Sequence, residues 1–400
     1  MNIVLVNPVA STPDVSFRSL AMPAVPTAMG RPALQEVNIV ELGAAFADLG
    51  HPTTVVIGAP FLDGKEIRIS DRLRVQSVGT VLHVPFHPGV LPMTPELVGH
   101  LVFRDADVVQ TGEFHQPATF FASRACREHD IPMVVWQETF APMRPPGAYY
   151  QRLYEILVGG FVDRTAKRFV PRTTKARDYL IRLGVDVPRI TEWIPTGINA
   201  GVFSPDESLY LPEDFGWDPD SQIVLVVARL HPSKGVDTAI RILKRIAREE
   251  PTARLVVRGT GPELAALRRL AIQLGVFDRT RIVGRLSRQD MVHLYNLASV
   301  VLGTSRVDLL PFSLIEASSC GRPCVSTEAG AVRDIVVNGE TGFVVAPGNE
   351  ESLARAVLAL LRDPDLRASM GAAARARVES RFALPKVAQR LLGVYRASES

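Results

Sequence analysis

Cysteine is scarce in this sequence. The 400 residues include three, Cys126, Cys320 and Cys324, an odd and sparse set that excludes a disulfide framework and suits a reducing compartment. Cys320 and Cys324 are close together, but no second Cys/His pair follows to complete a zinc site. Aromatic residues are 7% of the chain, too few to advertise a stacking platform for single-stranded nucleic acid. An excess of one charge is also missing. The 45 Lys and Arg against 42 Asp and Glu leave +3, without the dense basic patch of a dedicated DNA binder. No apolar run approaches the roughly 20 residues of a membrane span. The short run Ile3–Val6 lacks a basic flank, so no targeting segment is expected. What remains is a globular composition, 46% apolar and 22% charged, near the averages of about 45–50% and 25%. At about 150 residues per domain, the length suggests two to three domains.

Short β-branched runs alternate with longer helical ones. Strands are expected at Asn2–Asn7, Thr53–Ile57, Val81–Val84, Val108–Thr111 and Met133–Gln137. Helices fit between them at Val37–Leu49, Pro95–Phe103 and Pro117–His129. The segment Ser204–Asp220 holds three prolines and six acids with no period and reads as a linker. A second series follows, with strands at Gln222–Ala228, Arg254–Val257, Arg281–Val283, Val300–Gly303, Pro323–Thr327 and Gly342–Val345. Its helices are expected at Val236–Glu249, Glu263–Leu274 and Ser287–Ala298, with another starting near Ser313. Ser287 with Asp290 is an approximate capping box. After Asn349 the chain turns wholly helical. This layout predicts two α/β domains with doubly wound parallel sheets and a helical tail. The boundaries read as 1–203 with the tail 382–400, a linker at 204–220, and 221–381. Ligands of open α/β sheets sit at the carboxyl ends of the strands, so a site in the cleft between the domains is expected.

Three elements at strand ends carry chemistry. Ala228-Arg229-Leu230-His231-Pro232-Ser233-Lys234-Gly235 brings two cations to a strand–helix junction, where backbone N–H groups favour anions. Val257-Arg258-Gly259-Thr260-Gly261-Pro262 carries two glycines that allow close backbone approach, though it does not match a dinucleotide fingerprint. Asp308 follows a strand, and Glu316 lies eight residues later in the next helix. Such a carboxylate pair suits the vicinal hydroxyls of a ribose or a hexose. Each element also has a plain structural reading, as solvated charges, an ordinary turn and a capping acid.

The order and spacing of these elements resemble the C-terminal half of the retaining family 4 glycosyltransferases, with the two-domain GT-B fold. The matching segments are Ala228–Gly235, Gly259–Pro262, Val283–Leu286, Ser305–Ala317 and Cys320–Thr327. Trp193–Asn199 with Phe203 and Pro205, and Asn338–Gly342, extend the match over 190–380. Across 1–150 it rests on the βαβ layout and on Ala47–His51 ahead of a strand. The resemblance implies a cleft-facing pair of Rossmann-like domains, the first for the acceptor and the second for the donor. The resemblance also implies that the tail near Leu384–Ala397 crosses back to the first domain. It implies a hexosyltransferase that moves a sugar from a nucleotide diphosphate to an acceptor hydroxyl with retention. Neither a metal nor another cofactor is expected. Catalysis would be electrostatic, with the departing phosphate taking the acceptor's proton and domain closure excluding water.

Residue by residue, the resemblance places Arg229 and Lys234 on the donor diphosphate and Glu316 on the ribose hydroxyls. Asp308 stands where the family's first Glu contacts the transferred sugar. Gly284, Arg285 and Leu286 match the border of the nucleobase. Gly259 and Gly261 fall in the donor's Gly-rich segment, and Leu309, Leu310, Pro311 and Phe312 match a loop facing sugar and phosphate. The chain departs from the family at Asp308, one methylene short of Glu. It also departs at Leu309 and Pro311, where glycine is frequent, and Pro311 removes an N–H. His115 is the candidate for the family's histidine after the fourth strand, a few residues late. Gly30, in Met29–Pro32, is the candidate for the first Gly-rich loop, and Ser11–Arg31 reads as a flap beside the cleft. His83, His87, His100 and His129 take the structural reading. Asp105-Ala106-Asp107 precedes a strand and has no counterpart in this fold's site. Glu138, at a strand's carboxyl end, is a candidate acceptor contact.

Between Arg144 and Arg189 ten Lys and Arg face four Asp and Glu, interleaved with Tyr149, Tyr150, Leu153, Tyr154 and Leu157. This is either a peripheral surface for anionic lipid, bringing in a lipid-linked acceptor, or a solvated face over a buried aromatic stripe. Expected partners are a nucleotide sugar and a saccharide, lipid-linked or small-molecule acceptor, with no nucleic acid. The expected location is the cytoplasm, with a peripheral contact at the inner face of the membrane. Three alternatives stay open: a phosphorylase, a sugar-nucleotide epimerase, and a non-catalytic sugar-nucleotide-binding subunit.

Overall fold

The computed structural model describes residues 1–7, 38–58, 66–79, 82–86, 89–142, 145 and 147–399. Within it the chain divides into two units, Met1–Gly197 with Leu384–Ser400, and Ile198–Ala383.

In unit 1 the strands are β1 (Ile3–Val6), β2 (Thr53–Gly58), β3 (Glu66–Arg68), β4 (Leu73–Val78), β5 (Leu82–Phe86), β6 (Gly89–Met93), β7 (Val108–Thr111), β8 (Met133–Gln137) and β9 (Ala166–Pro171). Seven of them form one sheet in the order β3-β4-β2-β1-β7-β8-β9. All neighbours are parallel except β3 and β4. Its helices are α1 (Asn38–Asp48), α2 (Pro117–Glu128), α3 (Gly147–Tyr154), α4 (Gly160–Thr165) and α5 (Thr174–Arg182), and the chain's last helix also belongs here. β1 shows why the sheet is covered on both faces. Ile3 and Leu5 join the core with Phe46 of α1, while Val4 and Val6 join Phe103, Phe114 and Ala122 on the other side. Alternate side chains of a strand point to opposite faces, and each fully buried aliphatic contributes about 1.5–3 kcal/mol.

Unit 2 repeats the plan with β10 (Gln222–Val227), β11 (Ala253–Arg258), β12 (Thr280–Val283), β13 (Val300–Gly303), β14 (Cys324–Thr327) and β15 (Gly342–Val345). The sheet is wholly parallel, in the order β12-β11-β10-β13-β14-β15. Its helices are α6 (Val236–Glu249), α7 (Leu264–Leu274), α8 (Arg288–Leu297), α9 (Phe312–Ser319), α10 (Val332–Ile335), α11 (Glu350–Arg362) and α12 (Pro364–Arg381); α13 (Leu384–Arg396) then returns to unit 1. There Tyr395 packs on Phe46, with ring centroids 5.6 Å apart, and its hydroxyl donates to Gln110 Oε1 at 2.6 Å.

The expected fold class, two doubly wound α/β units with a returning tail, is thus observed. Four local readings change. The residues read as a linker, 204–220, belong to unit 2 and pack there through aromatic side chains. Trp217 Nε1 donates to Asp278 O at 2.7 Å, and Phe215 stacks on Trp217. The division falls at Gly197/Ile198 and Ala383/Leu384 rather than at 203 and 381. The strand expected at Val81–Val84 is Leu82–Phe86, paired antiparallel with Gly89–Met93 outside the main sheet. The helix expected over Pro95–Phe103 is two 3-10 turns, Pro95–Gly99 and Leu101–Phe103, with His100 between them capping the second. The Ser287–Asp290 capping box is present, with Ser287 Oγ accepting from Asp290 N at 3.1 Å.

In each sheet the strand order reverses beside the first strand of the series, between β1 and β7 and between β10 and β13. The loops after these strands are where an open α/β sheet receives a ligand. Among the described residues no helix is long and apolar enough to cross a membrane.

Candidate active site

At the switch point of unit 2, the loop after β10 meets the loop after β13. Gly235 has φ +60°, and a Cβ there would fall onto the Thr304 carbonyl oxygen. Only glycine accepts both conditions. The approach lets Thr304 Oγ1 donate to Lys234 O at 3.0 Å and Arg306 N donate to Ser233 O at 2.8 Å. The Arg306 guanidinium reaches Pro232 O at 2.5 Å and forks onto both carboxylate oxygens of Asp237 at 2.8 Å. Burial pushes the Asp237 carboxyl up, but Arg306 and Arg241 together hold it below its ordinary value.

This frame fixes the next contact. Lys234 Nζ lies 2.6 Å from Asp308 Oδ2, and both side chains are 16% exposed. Asp308 is occupied on every side. Oδ2 also accepts from Ser305 Oγ at 3.0 Å, and Oδ1 accepts from Leu309 N at 3.0 Å. Behind it stands Gly330, φ +58°, where a Cβ would fall onto the Asp308 and Leu309 carbonyl oxygens. Arg229, in the same loop as Lys234, is exposed, and its side chain has no hydrogen bond or ion pair among the described residues. Leu309 is half-buried, Leu310 and Pro311 are buried, and Phe312 opens α9. That helix carries Glu316, whose Oε2 accepts from Tyr295 Oη at 2.6 Å. Burial, with the charge of Glu316, pushes the Tyr295 hydroxyl well above its ordinary pKa, so it stays a donor.

The glycines expected to approach a ligand approach protein. A Cβ at Gly259 would fall onto Ala228 O, and one at Gly261 onto Leu230 O. They clamp the loop after β11 to the loop that carries Arg229. Gly284, Arg285 and Leu286 follow β12, the edge strand two places from β10, and Gly284 faces open space.

The corresponding loops of unit 1 are turned inward. Glu113, after β7, accepts from Gln137 Nε2 at 2.6 Å, Glu138 N at 2.9 Å and Thr139 N at 3.1 Å. Burial raises its pKa against the pull of Arg172. Glu138 pairs with Arg172 at 2.5 Å, and that guanidinium lies 4.1 Å over the Trp136 ring. His115 is 4% exposed, and its Nε2 is 2.8 Å from Glu155 Oε1. Burial lowers its pKa more than Glu155 raises it, so the ring is held neutral. Tyr150 Oη donates to His115 O at 2.7 Å and Tyr154 Oη to Gln116 O at 3.2 Å. Gly30 and the segment 11–31 lie outside the described residues. Asp107 sits at the opposite, amino end of the sheet, where Oδ2 accepts from Asn2 N at 2.6 Å.

The structure therefore gathers Arg229, Lys234, Asp308 and the 309–312 loop at one switch point, with Glu316 in the helix that follows. His115 and Glu138 lie in unit 1, each in an internal pair. Tyr295, Arg306 and Gly330 were not singled out by sequence reasoning. Gly330, three residues past β14, repeats the strand-then-glycine signal of Gly259; Tyr295 and Arg306 gave no local sign.

Residues 211–377 match the family described as Glycosyl transferases group 1, and residues 35–193 match a Glycosyl transferase 4-like domain. A protein of Frankia alni named D-inositol 3-phosphate glycosyltransferase is 26% identical over 392 residues, 90% of this chain and 93% of that protein. One of the same name from Acidothermus cellulolyticus is 32% identical over 249 residues, 59% of this chain, and the alignment spans 54% of that relative's length. The solved structure of Anabaena HepE in complex with UDP superposes with a TM-score of 0.72 at 17% identity, covering 99% of this chain and 100% of that one. The two α/β units and these matches together define a glycosyltransferase of the GT-B class. The chain belongs to the group 1 glycosyl transferases, with the family 4 type of first domain.

Proposed function

We propose that this enzyme transfers a hexose from a nucleotide-diphosphate sugar to an acceptor hydroxyl, with retention of anomeric configuration and without a metal ion. The supporting observation is the unit 2 switch point, where one loop carries two cations: Arg229, with no side-chain partner among the described residues, and Lys234, held ready by Asp308. An incoming diphosphate offers both cations charge-assisted hydrogen bonds. As the glycosidic bond breaks, negative charge grows on the phosphate, and fixed cations stabilise that state more than the ground state. The acceptor oxygen bonds to the anomeric carbon on the face the phosphate leaves, and the departing phosphate takes the acceptor's proton. Glu316, held by Tyr295, is the ribose ligand in this reading. Gly284, Arg285 and Leu286 border the base, and the 309–312 loop borders sugar and phosphate. Asp308 is the positioning partner of Lys234, because its oxygens already accept three hydrogen bonds, from Lys234, Ser305 and Leu309. His115 and Glu138 shape the acceptor side from inside their pairs.

The UDP in the Anabaena structure makes uridine nucleotides one donor class to test, and the inositol phosphate in the relatives' names makes a phosphorylated polyol one acceptor. A saccharide or lipid-linked hydroxyl in the cytoplasm is the wider class. The test is a thermal-shift screen against UDP, GDP, ADP, dTDP and inorganic phosphate in a chelating buffer. A ligand at 100 times its Kd adds about 2.7 kcal/mol to stability. One nucleotide is expected to respond, and Arg229→Ala to cut the response by half or more. The responding sugar nucleotide should then give product of the donor's anomeric configuration by NMR. Asp308→Ala should lower kcat and weaken the nucleotide response together, because Lys234 loses the partner that holds it. A response to phosphate alone would overturn the reading in favour of a phosphorylase.

A further inference from the structure

We propose that the helical segment 147–165 of unit 1 docks the protein onto an anionic lipid bilayer. The segment runs through α3, a π-helical turn at Glu155–Gly159, and α4 without a break. Its inner face is committed to the fold. Tyr154 and Val162 are buried in the core, and Tyr150 and Tyr154 hold the loop after β7. Its outer face is apolar and open. Tyr149, Leu153, Ile156 and Leu157 are 73%, 55%, 72% and 68% exposed. Single exposed apolar residues are ordinary, but four large ones on adjoining turns mark a binding surface.

Charge says what the surface meets. Arg152 lies three residues after Tyr149 and four before Ile156, hence on the same ridge. Arg164 is exposed at the far end of the segment. Neither side chain has a hydrogen bond or ion pair among the described residues. The acids of the segment are engaged: Glu155 with His115 at 2.8 Å, and Asp163 with Arg189 at 3.1 Å. Beside the ridge, Arg152 and Arg182 line a cavity of about 410 Å³ with Gln151, Glu155 and Tyr179. An apolar ridge bearing unpaired arginines matches the boundary of an anionic bilayer, where the ridge enters the acyl region and guanidinium groups meet lipid phosphates. A second copy of the chain is the poorer match, because pairing two ridges would bring their arginines together. The proposal does not depend on which sugar or acceptor the enzyme uses.

The test is co-sedimentation of the full chain with phosphatidylcholine vesicles, with and without phosphatidylglycerol. We expect binding to the anionic vesicles at least tenfold tighter than to neutral ones, weakening as salt rises. The double variant L153S/I156S should lose binding at least tenfold with an unchanged thermal midpoint, since both side chains are already in solvent. R152Q and R164Q should each cost about fivefold on anionic vesicles and little on neutral ones. Absence of binding to anionic vesicles, or equal binding by L153S/I156S, would overturn the proposal. So would a concentration-dependent dimer that L153S/I156S abolishes.

Discussion

The two sheets end alike and use their ends differently. In unit 1 the polar side chains after β7 and β8 satisfy one another: Glu113 with Gln137 and two backbone amides, Glu138 with Arg172, His115 with Glu155. In unit 2 the backbone does the holding, through close contacts at Gly235, Gly259 and Gly330. Among the described residues, that leaves the Arg229 side chain without a partner and Lys234 in one ion pair. Loops fixed by glycine and carbonyl contacts can present their cations to a ligand, whereas loops fixed by their own acids and bases have already used them. Preorganisation of the first kind suits charge stabilisation, because the donors need not reorganise when charge develops.

The largest effect that would break this contrast is Gly259→Val. Its Cβ would fall onto the Ala228 carbonyl, and relieving such an overlap at a backbone contact should cost about 3 kcal/mol or more. A urea denaturation midpoint would show it. A cost near zero would mean the unit 2 loops are adjustable. Arg229→Ala comes next. Hydrogen bonds to charged groups are worth about 1.5–3 kcal/mol, so the affinity for the responding nucleotide should fall about 10- to 100-fold by calorimetry. Glu138→Ala in unit 1 should leave that affinity unchanged. Arg306→Ala is smaller. The Arg306–Asp237 pair is partly exposed, and such pairs contribute about 0.5–1 kcal/mol. Asp237 is held below its ordinary 3.8 in the fold. Its share of stability is present above that value and is lost as pH falls through the folded pKa. The variant should therefore show a shallower loss of thermal stability in acid.

The smallest effect lies in unit 1. The folded pKa of His115 is below its ordinary 6.5. As pH falls below 6.5 the unfolded chain takes up a proton that the folded chain refuses, so stability drops with pH in that window. His115→Gln should flatten the thermal midpoint between about pH 5 and 7 while leaving it little changed at pH 8. An unchanged slope would show that the fold leaves the ring's proton affinity where it is in the unfolded chain.

Much of the fold was legible because parallel strands buried on both faces leave continuous apolar runs. Gln222–Val227 announces itself this way, and Val236–Glu249 does so by apolar residues at helical spacing. β9 and α5 did not, since Lys167, Arg168, Lys175 and Arg177 interrupt their apolar pattern on the solvent side. At the site, Arg229, Lys234, Asp308 and Glu316 could be read because a strand end, a turn and a helix start lie within a few residues of each. The pairings could not. Arg306 meets Asp237 across 69 residues, and Tyr295 meets Glu316 across 21, so only the strand order brings them together. Gly259 and Gly261 were legible as glycines but not in purpose. A sequence shows that a backbone passes close to something, not whether that something is ligand or carbonyl.

The last helix sets an order of events. Unit 1 is not a continuous stretch of chain, because its core includes Leu391, Leu392 and Tyr395 from α13. On the ribosome, residues 1–197 emerge first, yet Phe46 and Gln110 must wait for Tyr395 to supply a ring and a hydroxyl. Unit 2 is contiguous and can close as it emerges. The unit begun first is therefore completed after unit 2, and until α13 emerges it carries an uncovered apolar surface where that helix packs.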